Sequence, residues 1–262
     1  PDDEHLATVS AGSVTIRSIK FSNSEPVIVR NPVNRELSGK RAESLSRNGL
    51  RYAFENANEQ KINLLGLSSS PAFEVAIERN CDDVLRLSFD PSGDFLACVD
   101  KSEIIVWSTK SRDKTSRIPL PEGYAPSDLA VSPQGRYVAA SSFNGEVRLW
   151  DTGSSDHTGT IIRIEDEKSI AFSPDGKWLS IGARDETMLW GLNVEKFDSR
   201  RIPVGGSSMK FSPDGSLLAV RAKENTGEIS VWNVHDSTLK EIVSSSSSPR
   251  GTVGLSSPPD VS

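Results

Sequence analysis

A short phrase repeated at a nearly constant interval constrains the fold of this chain more than any other feature. The phrase is an apolar residue, Ser or Asp, Pro, any residue and Gly, and it occurs at residues 89–93, 131–135, 172–176 and 211–215. Its glycines are separated by 42, 41 and 39 residues. A tryptophan follows each glycine after 14 to 17 residues, at Trp107, Trp150, Trp190 and Trp232. Self-similarity at a period of about 40 residues predicts a repeat architecture.

Each repeat has the pattern of four short strands. Before the first phrase, Leu85, Leu87 and Phe89 alternate with other residues, as in a half-buried strand. Proline fixes one φ angle in the phrase and glycine tolerates a positive φ, so the phrase predicts a turn. An apolar run at 95–99, a run ending in tryptophan at 104–107 and a more polar run at 118–120 follow. Four antiparallel strands every 40 residues or so predict an all-β fold of β-propeller blades, with helix in less than about a tenth of the chain.

The repeat divides the chain into five whole blades and one partial blade. The predicted bounds are about 1–30 for the partial blade, which lacks its first strand, and 41–77, 82–120, 125–164, 167–204 and 207–243 for the whole ones. We expect the four repeat tryptophans to be buried between blades. We also expect this unit to be part of a larger ring, with a gap between the partial blade and the last blade. The Ser- and Pro-rich residues 244–262 have too little apolar surface to fold and are expected to form a flexible tail or linker, with a phosphorylated or partner-binding tail as the alternative.

These repeats resemble the WD-repeat β-propeller family. Trp150-Asp151 is the one literal Trp-Asp pair, and the other three tryptophans are followed by Ser108, Gly191 and Asn233. The Gly-His pair that family members carry before the first strand is absent from every blade. The resemblance implies that the larger ring has seven blades, the commonest number in the family. It also implies a non-catalytic interaction or sensor scaffold that binds proteins. Divergent copies of this kind resemble the propellers appended to large multidomain signalling proteins.

Composition and charge exclude several other classes of function. The chain has 262 residues and a formal charge of −6, without a basic run, which argues against binding to nucleic acid or to an anionic membrane. No apolar stretch approaches the 20 or so residues of a membrane span. Two cysteines, Cys81 and Cys98, and three scattered histidines predict neither a metal site nor a cofactor. We expect both cysteines to be reduced and the protein to be cytoplasmic.

The sequence contains no convincing catalytic constellation. There is no Gly-x-Ser-x-Gly elbow, and His157 and His235 each fall in a polar loop after a repeat tryptophan. The acidic run at 165–167 lacks the alternating spacing of a calcium loop, and Gly205-Gly206 has no phosphate-loop context. The prediction is therefore that the chain is not an enzyme. The alternative is a propeller hydrolase of the lactonase or peptidase type.

One end of the propeller is predicted to carry the partner-binding residues. In a propeller, the loops that join successive blades and the turns between second and third strands lie on the same face. Interfaces favour exposed aromatic residues and arginine. On that basis the candidate contacts are Arg79, Tyr124, Phe143, Arg184 and Arg221. For Tyr124 and Phe143 the alternative is packing against neighbouring blades.

Overall fold

The computed structural model describes eleven segments of the chain. They are residues 5–10, 13–18, 43–46, 51–56, 61–66, 73–78, 84–111, 114–164, 169–192, 198–221 and 228–243. Several predictions fall outside these segments: the fourth strand of the partial blade at 27–30, Arg79, the acidic run at 165–167 and the tail at 244–262.

The described residues form 22 strands arranged in one hairpin and five blades. Strands β1 (His5–Ser10) and β2 (Ser13–Ser18) form the hairpin. Blade 1 contains β3 (Glu43–Leu45), β4 (Arg51–Asn56), β5 (Lys61–Gly66) and β6 (Phe73–Glu78). Blade 2 contains β7 (Arg86–Phe89), β8 (Phe95–Val99), β9 (Glu103–Ser108) and β10 (Lys114–Pro119). Blade 3 contains β11 (Pro126–Val131), β12 (Tyr137–Ser142), β13 (Glu146–Asp151) and β14 (Thr160–Arg163). Blade 4 contains β15 (Ser169–Phe172), β16 (Trp178–Gly182), β17 (Thr187–Gly191) and β18 (Ser199–Ile202). Blade 5 contains β19 (Ser208–Phe211), β20 (Leu217–Arg221), β21 (Ile229–Asn233) and β22 (Leu239–Val243).

Every blade is a meander in which each strand pairs antiparallel with the next one along the chain. The only helical element among the described residues is a single 3-10 turn at Pro133–Gly135. The predicted all-β fold of four-stranded blades is therefore confirmed. The first strands of consecutive blades pack side by side, β3 with β7, β7 with β11, β11 with β15 and β15 with β19.

The same local device closes the turn between the first and second strands of all five blades. The Ser or Asp that opens the turn uses its side-chain oxygen to accept the backbone N–H of the residue five positions later. The pairs are Ser46 with Arg51, Asp90 with Phe95, Ser132 with Tyr137, Ser173 with Trp178 and Ser212 with Leu217, at 2.7 to 2.9 Å. In blades 2 to 5 the turn glycine has a φ of 67 to 78°, which explains why the phrase ends in glycine. The recurring phrase is thus a self-capped turn.

The hydrophobic core lies between the blades and is divided into one layer for each pair of neighbours. In the layer between blades 2 and 3, Ile104 and Ile118 of blade 2 meet Leu129 and Val138 of blade 3. Strand residues alternate between the two faces of a sheet, so each blade contributes one set of side chains to the layer before it and another to the layer after it. Such a core forms only when blades stack.

The four repeat tryptophans all contribute to these layers, but to different extents. Trp107 and Trp150 are buried, and Trp150 also donates its Nε1–H to the carbonyl of His157 at 3.0 Å. Trp190 and Trp232 are half-buried and pack against the edge of their layers. The prediction of burial is confirmed for the first two and holds in part for the others.

On the face of blade 5 that points away from blade 4, residues are exposed whose equivalents in the other blades are buried. A pair of residues on the third and fourth strands is buried in blades 2 to 4: Ile104 with Ile118, Val147 with Ile162 and Thr187 with Ile202. The equivalent pair in blade 5, Ile229 with Val243, is 38% and 43% exposed. In the described residues, hairpin strands β1 and β2 pair with each other alone. The blade 5 side of the expected gap is therefore uncovered by any described strand.

Cys98 differs from its prediction. It lies fully buried on β8 and is disulfide-bonded, so the expectation of two reduced cysteines is wrong. The chain has one other cysteine, Cys81, which lies outside the described residues. Disulfides are typical of oxidising compartments. The predicted cytoplasmic location therefore loses the support that reduced cysteines would have provided.

Candidate partner-binding face

Four of the five candidate contacts fall in the described residues, at the end of the propeller where each first strand begins and each second strand ends: Tyr124, Phe143, Arg184 and Arg221. Two kinds of loop meet there: the connectors between blades, at 121–125 and 203–207, and the turns between second and third strands, at 100–102, 143–145 and 183–186. We call this end the loop face. Because the blades repeat the same topology, equivalent residues of different blades lie on it together.

Phe143 is the most exposed large apolar side chain among the described residues, at 78%. Its backbone N–H bonds the carbonyl of Ala125 at 3.2 Å, and Ser142 Oγ bonds Asn144 Oδ1 at 2.9 Å. Gly145 closes the turn with a φ of +79° and an N–H bond to the carbonyl of Ser142 at 3.0 Å. The turn is therefore held by several hydrogen bonds while its aromatic ring faces solvent. The exposure of the ring rules out the packing alternative, and the role of Phe143 as a partner contact stays a prediction.

Tyr124 was predicted as an exposed contact, and the structure shows that it is buried at 6% exposure. Its hydroxyl donates to the carbonyl of Ala140 at 2.7 Å, and its ring meets Trp150 edge-on with 6.2 Å between centroids. The Arg148 guanidinium lies over the same ring at 5.8 Å. Tyr124 is therefore a packing residue whose hydroxyl is satisfied inside blade 3, and it is withdrawn from the candidate contacts.

Arg184 is exposed in the turn between β16 and β17, and the following connector packs directly on that turn. A Cβ on Gly205 would lie 1.7 Å from the carbonyl oxygen of Arg184, and the N–H of Gly206 bonds the carbonyl of Ala183 at 3.1 Å. The Gly-Gly pair therefore allows two backbones to touch and fixes the turn that carries Arg184. Sequence reasoning excluded a phosphate loop here but missed this packing role, for which the adjacent glycines were the available signal.

Arg221 is exposed at the end of β20. Its carbonyl accepts hydrogen bonds from the N–H and the Oγ of Ser207, at 3.0 and 3.1 Å. The structure therefore places Phe143, Arg184 and Arg221 on the loop face, on blades 3, 4 and 5. Arg79 lies outside the described residues.

The half-buried carboxyl group of Asp128 lies on β11 near the propeller axis. Asp128 accepts backbone N–H bonds from Leu129 at 2.9 Å and from Ile170 of blade 4 at 3.0 Å. Burial raises the pKa of Asp128, while the two N–H bonds and the charges of Arg86 and Lys210 act to lower it. Both carboxyl oxygens are engaged by backbone amides, so Asp128 joins two blades and is poorly placed to act as a general base.

The other catalytic candidates do not assemble into a site in the part of the chain that the structure describes. His157 is half-buried in the loop after β13 with its Nδ1 unbonded, and His235 is exposed on blade 5. The described segments bring no three His, Cys, Asp or Glu side chains together in a way that would hold a metal ion. None of their helices is long and apolar enough to cross a membrane.

Comparison with known proteins supports this architecture. The WD domain, G-beta repeat model matches residues 122–151 and 152–189. Periodic tryptophan protein 2 of Arabidopsis thaliana is 34% identical over 136 residues, which are 48% of this chain and 15% of that protein. Echinoderm microtubule-associated protein-like 3 of Homo sapiens is 27% identical over 169 residues, 62% of this chain and 19% of that protein. The chain thus spans less than a fifth of the length of these relatives.

Solved structures show the same fold at low sequence identity. A chain from the crystal structure of the mitotic checkpoint complex superposes with a TM-score of 0.61 at 14% identity, over 79% of this chain and 64% of the other. A chain of Kuenenia stuttgartiensis hydrazine synthase superposes with a TM-score of 0.60 at 16% identity, over 88% and 74%. Taken with the periodic phrase, the repeat-model match at residues 122–189 and the five four-stranded blades, these likenesses support a WD-repeat β-propeller.

Proposed function

We propose that this chain is a non-catalytic scaffold that binds a protein partner through its loop face. The observation that carries the proposal is Phe143, a large aromatic ring held in solvent by a hydrogen-bonded turn. An exposed aromatic side chain on a rigid support is the kind of anchor that dominates binding energy at protein interfaces. Arg184 and Arg221 extend the surface with a residue type that interfaces favour.

The finer part of the proposal concerns the protein in which this propeller works. We propose that it is the WD-repeat region of a larger multidomain signalling protein. The support is the likeness to much longer relatives, of which the matched part is 15 to 19%.

A site-specific cross-linker tests the loop face directly. p-Benzoylphenylalanine at position 143 should cross-link a partner in the native host, whereas the same probe at Ile161 should not. Ile161 is a matched control because it is apolar and 43% exposed but lies on the outer strand β14. The variant Phe143→Ser should lose the partner that the wild type and Ile161→Ser retain. Equal cross-linking from both positions would contradict the proposal.

A further inference from the structure

Blade 5 packs on a neighbour through one of its two faces in the part of the chain that the structure describes. The residues that it contributes to the core layer shared with blade 4 include Met209, Phe211, Leu218 and Val220. On its other face Ile229 and Val243 are exposed, and every residue of the outer strand β22 is exposed. Blade 1, at the opposite end of the row of blades, differs, because Tyr52 and Phe54 are buried on its face turned away from blade 2. Blade 5 therefore lacks the second core layer that blades 2, 3 and 4 possess.

The boundary between blades 4 and 5 lacks a polar link near the axis that the two preceding boundaries have. Arg86 of blade 2 donates its Nε–H to the carbonyl of Ser127 of blade 3 at 3.0 Å. Asp128 of blade 3 accepts the N–H of Ile170 of blade 4 at 3.0 Å. The equivalent residue of blade 4 is Ser169, whose hydroxyl bonds no described residue of blade 5. The polar link between these two blades lies farther from the axis.

Arg200, on the outer strand β18 of blade 4, supplies that link. Its guanidinium donates to the carbonyl of Val234, at 2.9 Å, and to that of His235, both in the turn between β21 and β22. The same group lies over the Trp178 ring at 4.7 Å and donates to the Asp198 carboxylate at 3.0 Å. Hydrogen bonds from a charged donor are about twice as strong as neutral ones. Arg200 therefore clamps blade 5 to blade 4.

The connector between the two blades contains a point about which one blade can turn relative to the other. The N–H of Gly206 bonds the carbonyl of Ala183 in blade 4 at 3.1 Å. The N–H of Ser207 bonds the carbonyl of Arg221 in blade 5 at 3.0 Å. Consecutive residues are thus held by different blades, and the first of them is a glycine, whose backbone has the widest range of φ and ψ. The backbone at 206–207 is therefore the pivot between blades 4 and 5.

We propose that blade 5 opens from blade 4 as a unit, turning at residues 206–207, and that Arg200 controls this opening. Proteins open locally in cooperative units that often coincide with a supersecondary motif, and units with few buried contacts open at the lowest cost in free energy. The four strands of blade 5 form such a motif. Opening exposes the apolar layer shared with blade 4 and carries Arg221 away from Phe143. The opening itself does not depend on the proposed partner binding.

Native-state hydrogen exchange of the 262-residue chain, followed by mass spectrometry in increasing sub-denaturing urea, tests the opening. Peptides from β20 and β21 should exchange at least about tenfold faster than peptides from the equivalent strands β16 and β17 of blade 4. Because one unit opens, β20 and β21 should respond to urea with the same slope. Equal exchange in blades 4 and 5, or different slopes for β20 and β21, would overturn the proposal.

Substitution of the clamp tests the role of Arg200. Arg200→Met should speed the exchange of β20 and β21 about tenfold further, because it removes hydrogen bonds from a charged donor. The strands β12 and β13 of blade 3 should exchange as in the wild type. Arg200→Lys keeps the charge but not the planar fork, so its effect should be smaller than that of Arg200→Met. Uniform acceleration of all blades by Arg200→Met would overturn the role of Arg200 as a clamp for blade 5.

The matched control is the next residue of β18. Arg201 pairs with Glu186 at 3.0 Å inside blade 4, so it makes an ion pair of the same kind without reaching blade 5. Arg201→Met should therefore leave the exchange of β20 and β21 unchanged. Equal effects of Arg200→Met and Arg201→Met on these strands would show that the contact with the turn of blade 5 does not control the opening.

Discussion

The Oγ of Ser173 accepts a hydrogen bond from the backbone N–H of Trp178 at 2.9 Å, although both side chains are buried. This bond spans the turn between β15 and β16 and recurs at the equivalent place in every blade. It satisfies a backbone donor that enters the second strand away from water. The bond therefore holds the turn at the point where β16 begins, a strand whose residues are all buried.

Ser173→Ala should lower the free energy of unfolding by about 2 kcal/mol, because it leaves the buried Trp178 N–H without an acceptor. Urea unfolding followed by tryptophan fluorescence measures the change. The matched control is Ser155→Ala, at an exposed loop position, which should stay within about 0.5 kcal/mol of wild type. Equal stability of the two variants would show that the turn bond contributes little.

Much of the fold follows from the sequence because the repeated phrase encodes its own turn. Ser or Asp, Pro and Gly each have a local physical role, so four copies fix the strand register without knowledge of the rest of the chain. Blade 1 has Ser46 and Gly49 but lacks the proline, and its weaker phrase, its apolar runs and its spacing from the next blade together predict it. Its capping bond to Arg51 shows that the serine carries the essential part of the phrase.

The partner-binding residues were harder to predict, because the exposure of a loop side chain depends on which neighbouring strands it packs against. Phe143 and Tyr124 are both aromatic residues in loops of blade 3, and one is exposed while the other is buried. The difference is the acceptor that Ala140 offers to the Tyr124 hydroxyl, a contact between residues 16 positions apart. The inter-blade role of Asp128 was missed for the same reason, since only the stacking of blades brings its carboxyl group to the N–H of Ile170 on blade 4.

Gly205→Ala should destabilise the protein by at least about 2 kcal/mol, because its Cβ would overlap the carbonyl oxygen of Arg184. The backbone carbonyl cannot rotate away as a flexible side chain can. Gly153→Ala serves as the control, since a Cβ there meets only the Asp151 carboxyl group at 3.4 Å. Thermal unfolding of both variants measures the difference, and an unchanged midpoint for Gly205→Ala would refute the close contact.

The tryptophans should differ in their contribution to stability according to their burial. Trp150→Ala removes a fully buried ring and should cost about 3–5 kcal/mol. Trp232→Ala removes a half-buried ring next to the uncovered face of blade 5 and should cost about 2 kcal/mol. Denaturant midpoints of the two variants provide the comparison. A cost for Trp232→Ala as large as that for Trp150→Ala would mean that blade 5 is covered in solution.

The disulfide at Cys98 predicts a response to reductant. Unfolding the protein without reductant should expose no free thiol to a thiol-specific dye, because the sequence contains only Cys81 besides Cys98. Incubation with dithiothreitol should release two thiols per chain and lower the free energy of unfolding by about 2–4 kcal/mol. Two reactive thiols before reduction would contradict the bond.

Two aspartates should titrate in opposite directions from the ordinary carboxyl pKa. The hydroxyl of Ser212, followed by the N–H and hydroxyl of Ser216, lowers the pKa of Asp214 to about 2. A lowered folded-state pKa stabilises the fold above the unfolded value of about 3.9, and that contribution is lost as the pH falls toward 2. Burial raises the pKa of Asp128, so its ionisation disfavours the fold, and this cost is relieved when acid protonates it. Carboxyl carbon chemical shifts measured against pH should give a midpoint below 3 for Asp214 and one above the ordinary value for Asp128.

The free energy of unfolding measured against pH tests the same two shifts. In Asp214→Asn the loss of stability at acid pH should become less steep. In Asp128→Asn it should become steeper, because protonation of Asp128 no longer offsets part of the loss. The same slope in both variants would contradict these opposite shifts.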